Sequence, residues 1–479
     1  MVVALATGCG VEGESPEVAS APANDPGTAL SASTLPSCAG LEEPEPGSCV
    51  FETTGHYTSK EPYRPLQTPD SYTAPPAGFT VQAVQHAARH GSRALSSAGD
   101  DDLMLQLWSQ ARSEGALTPL GEELGPVLEE IIRVHEEVGY GLISRLGELE
   151  QETTAARMVE RHPELFRSMV ERGDRIDWYH SGRDRANQSG EAFIRGLVAA
   201  MPELEGLVDP GEASPETLYF NAAEGSEGYR EYRASDPRMR AAVESIEEDP
   251  RTRSMARLML RQLFTEAFVE RLADGGYRFE ARADPDDVLA DELDAADVLF
   301  GLYSIGVGMT EEADWALGRF IHPEAVAWLA YVDDAGSFYG RGPGFSDQDI
   351  SYRGAEALVR DMVERVEAFL AGGSSHPVTV RFSHAQALMP LAAYLGIEGS
   401  SEEVAPDQLY RYETHPWRAA LASPMSANVQ WDVYRNDPGV ILVRMLHQEG
   451  EIRFAPSCEP WGGTETFYEL SEVRRCYGI

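Results

Sequence analysis

An α/β core carrying an inserted α-helical cap is the fold the sequence predicts, on two observations. Three apolar, alternating runs, "FTVQAVQHAARHG", "DRIDWYHSG" and "HPVTVRFSH", each give way directly to a helical pattern. Between the second and the third lies a long stretch, about 236 to 328, that is helical almost throughout. In open sheets of this kind, ligands gather at the C-terminal ends of the strands.

The elements follow in order. "MVVALATGC" has the small residues before a cysteine of a bacterial lipoprotein signal, although Ala6 stands where a large aliphatic residue is usual and no basic residue precedes it. Residues 1–37 therefore read as a signal remnant and disordered tether, with Cys9 as the candidate lipid anchor. Residues 38–77, rich in proline and aromatics, read as an extended arm. The core is expected from 78–215 and 330–479, and the mainly helical cap from 216–329. Phe79, Val81, Ala83 and Gln85 alternate with Thr80, Gln82 and Val84 in a strand that stops at Gly91. From 101 to 171 the pattern is helical, with Met158, Leu165 and Phe166 in the core, and "GDDD" at Gly99–Asp102 reads as a solvated helix start. A strand over 174–182 precedes the helix "SGEAFIRGLVAAM". "YGRGPGFSD" is a Gly/Pro loop. Val378, Val380 and Phe382 alternate before a helix that starts near Ala385, and "GVILVRMLHQEGEIRFA" reads as a hairpin turning at Glu449–Gly450.

Composition bounds the partners. With 42% hydrophobic and 9% aromatic residues, most of the 479-residue chain is expected to be globular. The 79 acidic residues against 39 basic ones, a net charge of -40, argue against nucleic acid or an anionic membrane face as a partner of the whole surface. A local basic pocket remains allowed. Lys60 is the only lysine, so the other 38 basic residues are arginines, whose fork suits phosphate and carboxylate. Cys38/Cys49 and Cys458/Cys476 are close enough in sequence for local disulfides, leaving Cys9 over, an arithmetic that suits an exported protein. No other stretch is apolar for long enough to span a bilayer. The oligomeric state has no signature.

The chemistry starts at a strand end. His90, flanked by Arg89 and Arg93, fits a nucleophile in a phosphate cradle, since imidazole attacks phosphorus well once planar cations neutralise its oxygens. Gly91 would let the backbone approach the ligand. Against this stands the plain reading of two surface arginines and a strand-capping histidine. His86 lies behind the motif as a supporting residue. His135 and His162 lack a partner at ligand spacing and read as surface or packing residues. Arg341, before Gly342–Gly344, either reaches a substrate phosphate or sits at an ordinary turn. No HExxH, CxxC or GxxxxGK[ST] pattern is present, so neither metal nor cofactor is expected.

"RHGSR" at Arg89–Arg93 resembles the R-H-G-x-R signature of the histidine phosphatase superfamily, in its acid phosphatase and phytase branch. "RANQSGEAF" is similar to that branch's R-x-x-x-S-x-x-x-F, with Arg185, Ser189 and Phe193; this spacing prefers Arg185 to its rival Arg183. His384 in "RFSHAQALMPLAAYLGI" matches the second catalytic histidine. The multiple inositol polyphosphate phosphatases are most alike: "HAQALMPL" keeps the alanine of their H-A-E, and "RHPELF", "FYGRGPGF", "PMSANVQWDVY" and "VRMLHQE" add to the likeness. The resemblance implies a histidine-phosphatase-like mixed sheet flanked by helices, with an inserted α-helical cap. It also implies that His90 takes up the phosphoryl group from a small-molecule inositol polyphosphate such as phytate, while Arg89, Arg93, Arg185 and His384 hold its oxygens.

One position departs. Gln386 occupies the place of the glutamate that protonates the leaving alkoxide, and a carboxamide is no general acid. Another acid, or a neighbouring substrate phosphate with a second pKa of about 6, then supplies the proton; or turnover is slow; or the chain only binds phosphate esters, as a lipoprotein. A broad acid phosphatase acting on sugar phosphates or nucleotides is the other alternative. With an arginine pocket inside an acidic surface, moderate salt is expected to raise the association rate of a polyanion.

Overall fold

The computed structural model describes residues 35–41, 44–51, 55–220, 223 and 225–479; Cys9 and the expected tether up to residue 34 lie outside the described residues. Strands and helices are numbered in chain order. An eight-stranded mixed sheet runs β10-β8-β7-β1-β6-β2-β3, with β9 paired to β8. Its strands are β1 (Thr80–Arg89), β2 (Ile176–His180), β3 (Glu212–Ala213), β6 (Val378–Ser383), β7 (Asn428–Arg435), β8 (Ile441–His447), β9 (Gly450–Ile452) and β10 (Phe467–Glu469), while β4 (Phe279–Glu280) and β5 (Val288–Leu289) form a separate small hairpin. β1 is central, parallel to β6 and antiparallel to β7; β2 runs parallel to β6 and β3.

The apolar alternation of β1 is two-sided, because helices cover both faces of the sheet. Val84 and Ala88 pack with α3 (Arg145–Arg161), α4 (Pro163–Arg172) and α5 (Asp184–Ala200), through Met158, Phe166 and Phe193. Ala83 and Ala87 pack on the opposite side with the Glu356–Leu370 and Ala385–Tyr394 helices. α2 (Pro119–Val138) starts where Thr118 accepts a bond from the Gly121 amide and proline fills the first helical position.

A separate hydrophobic core joins α1 (Gly99–Ser113) and α2 to the Pro250–Leu260, Glu266–Ala273, Glu292–Gly306 and Pro323–Arg341 helices. The helical layer over the site thus draws on chain segments from both sides of residue 216. Its packing overturns the reading of "GDDD" as a solvated helix start. Asp101 is buried against His135 Nδ1 at 2.8 Å and the Tyr140 hydroxyl at 2.7 Å, and Asp102 accepts from Arg282 at 2.8 Å. Burial of α1 under its neighbours turns Asp101 into the partner of a buried imidazole and a hydroxyl, and Asp102 into that of the exposed Arg282 guanidinium. His135 and His162 are accordingly buried rather than at the surface, His162 Nε2 lying 2.9 Å from Asp432.

The late hairpin turns one residue earlier than expected. Gln448 and Glu449 take φ of 48° and 63°, a left-handed pair that favours glycine. Glu449 is held there by Arg157 at 2.7 Å and by the Tyr63 hydroxyl at 2.7 Å. The disulfides Cys38–Cys49 and Cys458–Cys476 both form. No helix among the described residues is long and apolar enough to cross a membrane.

Candidate active site

Strand register creates the site. Arg89 stands opposite Ser383 in the parallel pair β1–β6, so the next residues, His90 and His384, leave the sheet side by side. Their ring centroids are 5.3 Å apart at 63°. β2 flanks β6, and just past its end the Ser181 hydroxyl lies 2.7 Å from His384 Nε2. His90 Nδ1 donates to the Gly91 carbonyl at 2.9 Å, which leaves Nε2 with the free lone pair. Burial, followed by the nearby Arg89 and Arg185 for His90 and by Arg185 and Arg89 for His384, holds both imidazoles well below the ordinary histidine value. At neutral pH the pair is uncharged, and Nε2 of His90 is nucleophilic.

The loop that carries His90 is tied down on several sides. The Gly91 amide donates to Ser189 Oγ at 3.0 Å, and that hydroxyl donates to the Arg185 carbonyl at 2.7 Å. Phe193 is buried between His86 and Phe382, with ring separations of 5.0 and 5.4 Å. Arg185, Ser189 and Phe193 are spaced by four along α5 and share one stripe, so their motif is the footprint of a helix on the catalytic loop. Glu150 accepts from the Ser92 amide (2.9 Å), the Ser92 and Ser426 hydroxyls (2.8 Å each) and the Tyr63 amide (3.0 Å). Gln151 donates to the Arg89 carbonyl at 2.9 Å. Packing also requires Gly91: a β-carbon there would stand 2.4 Å from the Gly147 carbonyl oxygen on α3.

Four guanidiniums converge, with Glu150 acting on Arg89, Asp100 on Arg93 and Asp333 on Arg341 only from beyond ion-pair distance. Arg89 donates to the carbonyls of Ser59 and Ser423, the latter at 2.6 Å, and Arg93 donates to that of Ala94 at 2.7 Å. Burial, and then their neighbours' charge, pull Arg89 and Arg93 down to about 9 and Arg341 to about 10, still protonated at neutral pH. Arg185 is lowered by burial as well. Each of the four has a buried Nε with no hydrogen-bond partner, and none makes an ion pair among the described residues. In a chain with twice as many acids as bases, this is a place that demands an anion.

The structure therefore brings His90, Arg89, Arg93, Arg185 and His384 together. Arg183 is exposed and lies over the Tyr219 ring at 5.4 Å, and Tyr219 in turn stands 5.3 Å from His384. Arg341 ends the Pro323–Arg341 helix rather than sitting in a turn, and its charge reaches Arg89 and Lys60. Gln386 is half-buried in the first turn after His384. Sequence reading missed Glu150, Gln151, Ser181 and Tyr219, whose roles have no local pattern, and Lys60, whose being the sole lysine was the available signal. Among the described residues no cluster of His, Cys, Asp or Glu is arranged to hold a metal.

Residues 80–448 match the sequence profile of the histidine phosphatase superfamily (branch 2). Multiple inositol polyphosphate phosphatase 1 of Gallus gallus is 23% identical over 322 residues, 65% of this chain and 65% of that protein, so a little under two-thirds of the relative's length is spanned. The multiple inositol polyphosphate phosphatase of Bifidobacterium longum, in complex with phosphate, superposes with a TM-score of 0.83 at 29% identity, covering 88% of this chain and 97% of that one. Its complex with inositol hexasulfate gives 0.81 at 28% over the same shares. The phytase from D. castellii, at 16% identity and a TM-score of 0.63 over 88% and 84% of the two chains, shares the fold.

Proposed function

Since the chain belongs to branch 2 of the histidine phosphatase superfamily, we propose that it hydrolyses phosphomonoesters of inositol polyphosphates through a phosphohistidine on His90. The observation that carries this reading is the pair of neutral, adjacent imidazoles set among guanidiniums that make no ion pair among the described residues. His90 Nε2 attacks phosphorus while its Nδ1–H remains bonded to the Gly91 carbonyl. Arg89, Arg93, Arg185 and His384 take the non-bridging oxygens, and fixed positive charge stabilises the transferring group without a metal. Water then cleaves the N–P bond and releases phosphate. Arg341 reaches a second phosphate of the same substrate. The two disulfides support an exported protein, and Cys9 would be its lipid anchor.

Gln386 favours a second reading, a binding protein that captures phosphate esters without turning them over. Incubating the purified chain with phytate, beside His90→Ala, and assaying released phosphate by molybdate decides between them. Release that disappears in the variant is expected. Phytate bound by the parent but left intact would establish the capture protein. Faster release from a sugar monophosphate than from phytate would move the substrate class to that of a broad acid phosphatase.

A further inference from the structure

A cavity of about 230 Å³ opens on Arg93 and is walled by Lys60, Asp100, Asp297 and Asp333. Four elements bring these groups together: Lys60 from the arm, Asp100 from the first turn of α1, Asp297 from the Glu292–Gly306 helix and Asp333 from the Pro323–Arg341 helix. Asp297, Gly301 and Ser304 form the stripe of their helix that faces the space. None of the three carboxylates has a hydrogen bond or an ion pair among the described residues, in a molecule whose acids are elsewhere widely paired with arginine. Arg93, which lines the same cavity, keeps its buried Nε unpartnered. Charges left unpaired around a recess next to a phosphate cradle are poised for a substrate, since burial without a partner is costly.

We propose that Asp100 donates the proton to the leaving oxygen, the task that Gln386 cannot perform. The assignment rests on the phosphatase reading. Asp100 and Arg93 line the same cavity, so the leaving group of an ester held by that guanidinium meets this carboxyl where it enters the cavity. Asp100 faces Asp101 on its own helix, Asp287 beside β5, Lys60 on the arm and His135 on α2, while Asp297 and Asp333 share its cavity. Burial first, and then Asp287 and Asp101, raise it to about 6, against the opposing charge of Lys60 and His135. It therefore holds a proton in mildly acidic solution. As the N–P bond to His90 forms and the P–O bond breaks, the Asp100 proton passes to the departing oxygen to give the alcohol. In the second half, water attacks phosphorus, the N–P bond breaks, and the proton lost by water returns to the Asp100 carboxylate.

The test compares two esters on the whole chain. p-Nitrophenyl phosphate leaves as a stable phenolate and needs no donor, whereas glycerol 2-phosphate leaves as an alkoxide and does. Asp100→Asn is expected to lower kcat/KM on glycerol 2-phosphate by about 100-fold or more, while kcat/KM on p-nitrophenyl phosphate, which reports only the steps up to phosphoryl transfer to His90 and not the later attack of water, changes by less than about threefold. Asp100→Glu should recover most of the alkyl-ester rate, and the alkaline limb of its pH profile should be absent in Asp100→Asn. Equal losses on both esters, or none on either, overturn the assignment. Where the parent cleaves phytate alone, Asp100→Asn must lower that rate by a similar factor or the assignment fails, and a parent that cleaves none of the three substrates overturns the phosphatase reading itself, and this inference with it.

Discussion

Replacing Gly147 with alanine tests the packing that holds the catalytic loop. A β-carbon on residue 147 would lie 2.1 Å from the Ser92 carbonyl oxygen and 2.7 Å from the Ser92 amide nitrogen. Carbon and oxygen approach to about 3.3 Å at closest, so α3 and the loop after His90 must separate by roughly 1 Å. Neither can yield easily, because both contacts are with backbone and Ser92 is bonded twice to Glu150. Overpacking of this kind costs about 1–3 kcal/mol, and stretching the Glu150 bonds adds about 1 kcal/mol. A displacement of about 1 Å in a catalytic group also lowers turnover by about 100-fold. The variant is therefore expected to lose about 2–4 kcal/mol in urea unfolding and about 100-fold in kcat/KM on p-nitrophenyl phosphate. Gly206→Ala, whose β-carbon meets nothing, is the control. Gly147→Ala with the parent's stability and a rate within about twofold of it would refute the argument that this contact sets the position of His90.

Other perturbations read other parts of the molecule. Removing the Cys458–Cys476 bridge frees a loop of 18 residues, and the double alanine variant should lose about 3 kcal/mol in urea unfolding. Burial pulls His86 down to about 3 and His447 to about 4. Because the unfolded chain takes up these protons first, their contribution to stability is full above about pH 6.5 and shrinks as the pH falls toward 4. The urea midpoint should fall over that range, and His447→Gln should flatten the fall. Burial opposes the charge of Asp432, yet His162 and Arg444 hold it well below the usual carboxylate range. Its contribution is complete above about pH 4 and is lost as the pH drops through that lowered value. Asp432→Asn should cost about 3 kcal/mol at neutral pH and remove part of the sensitivity below pH 4.

Much of this site is written locally. His90 with Arg89 and Arg93, His384 before its helix, and Arg185 with Ser189 and Phe193 are each carried by one strand end or one helix face, so each is a short motif that a family resemblance can single out. Misreadings arose where a residue's partner is distant in sequence. "GDDD" has the composition of a solvated helix start, and its burial depends on Arg282 and His135, far along the chain. Gly91 reads in sequence as a ligand-approach glycine, and its packing on Gly147 of α3 was not visible there. "RHPELF", "PMSANVQWDVY" and "VRMLHQE" meet in an ionic cluster of His162, Asp432, Arg444 and Glu451 away from the candidate site, with Arg444 at 2.8 Å from Asp432 and 2.7 Å from Glu451.

By itself, the sequence determined the α/β class, the strand ends that carry the two histidines, and the arginines beside them, because strand alternation, helix spacing and motif order are properties of neighbouring residues. Tertiary structure alone decided that the imidazoles are neutral, that four guanidiniums make no ion pair among the described residues, and that Lys60 and Asp100 reach the same cavity. Those facts depend on desolvation and on distances between segments tens to hundreds of residues apart, which a linear pattern does not carry.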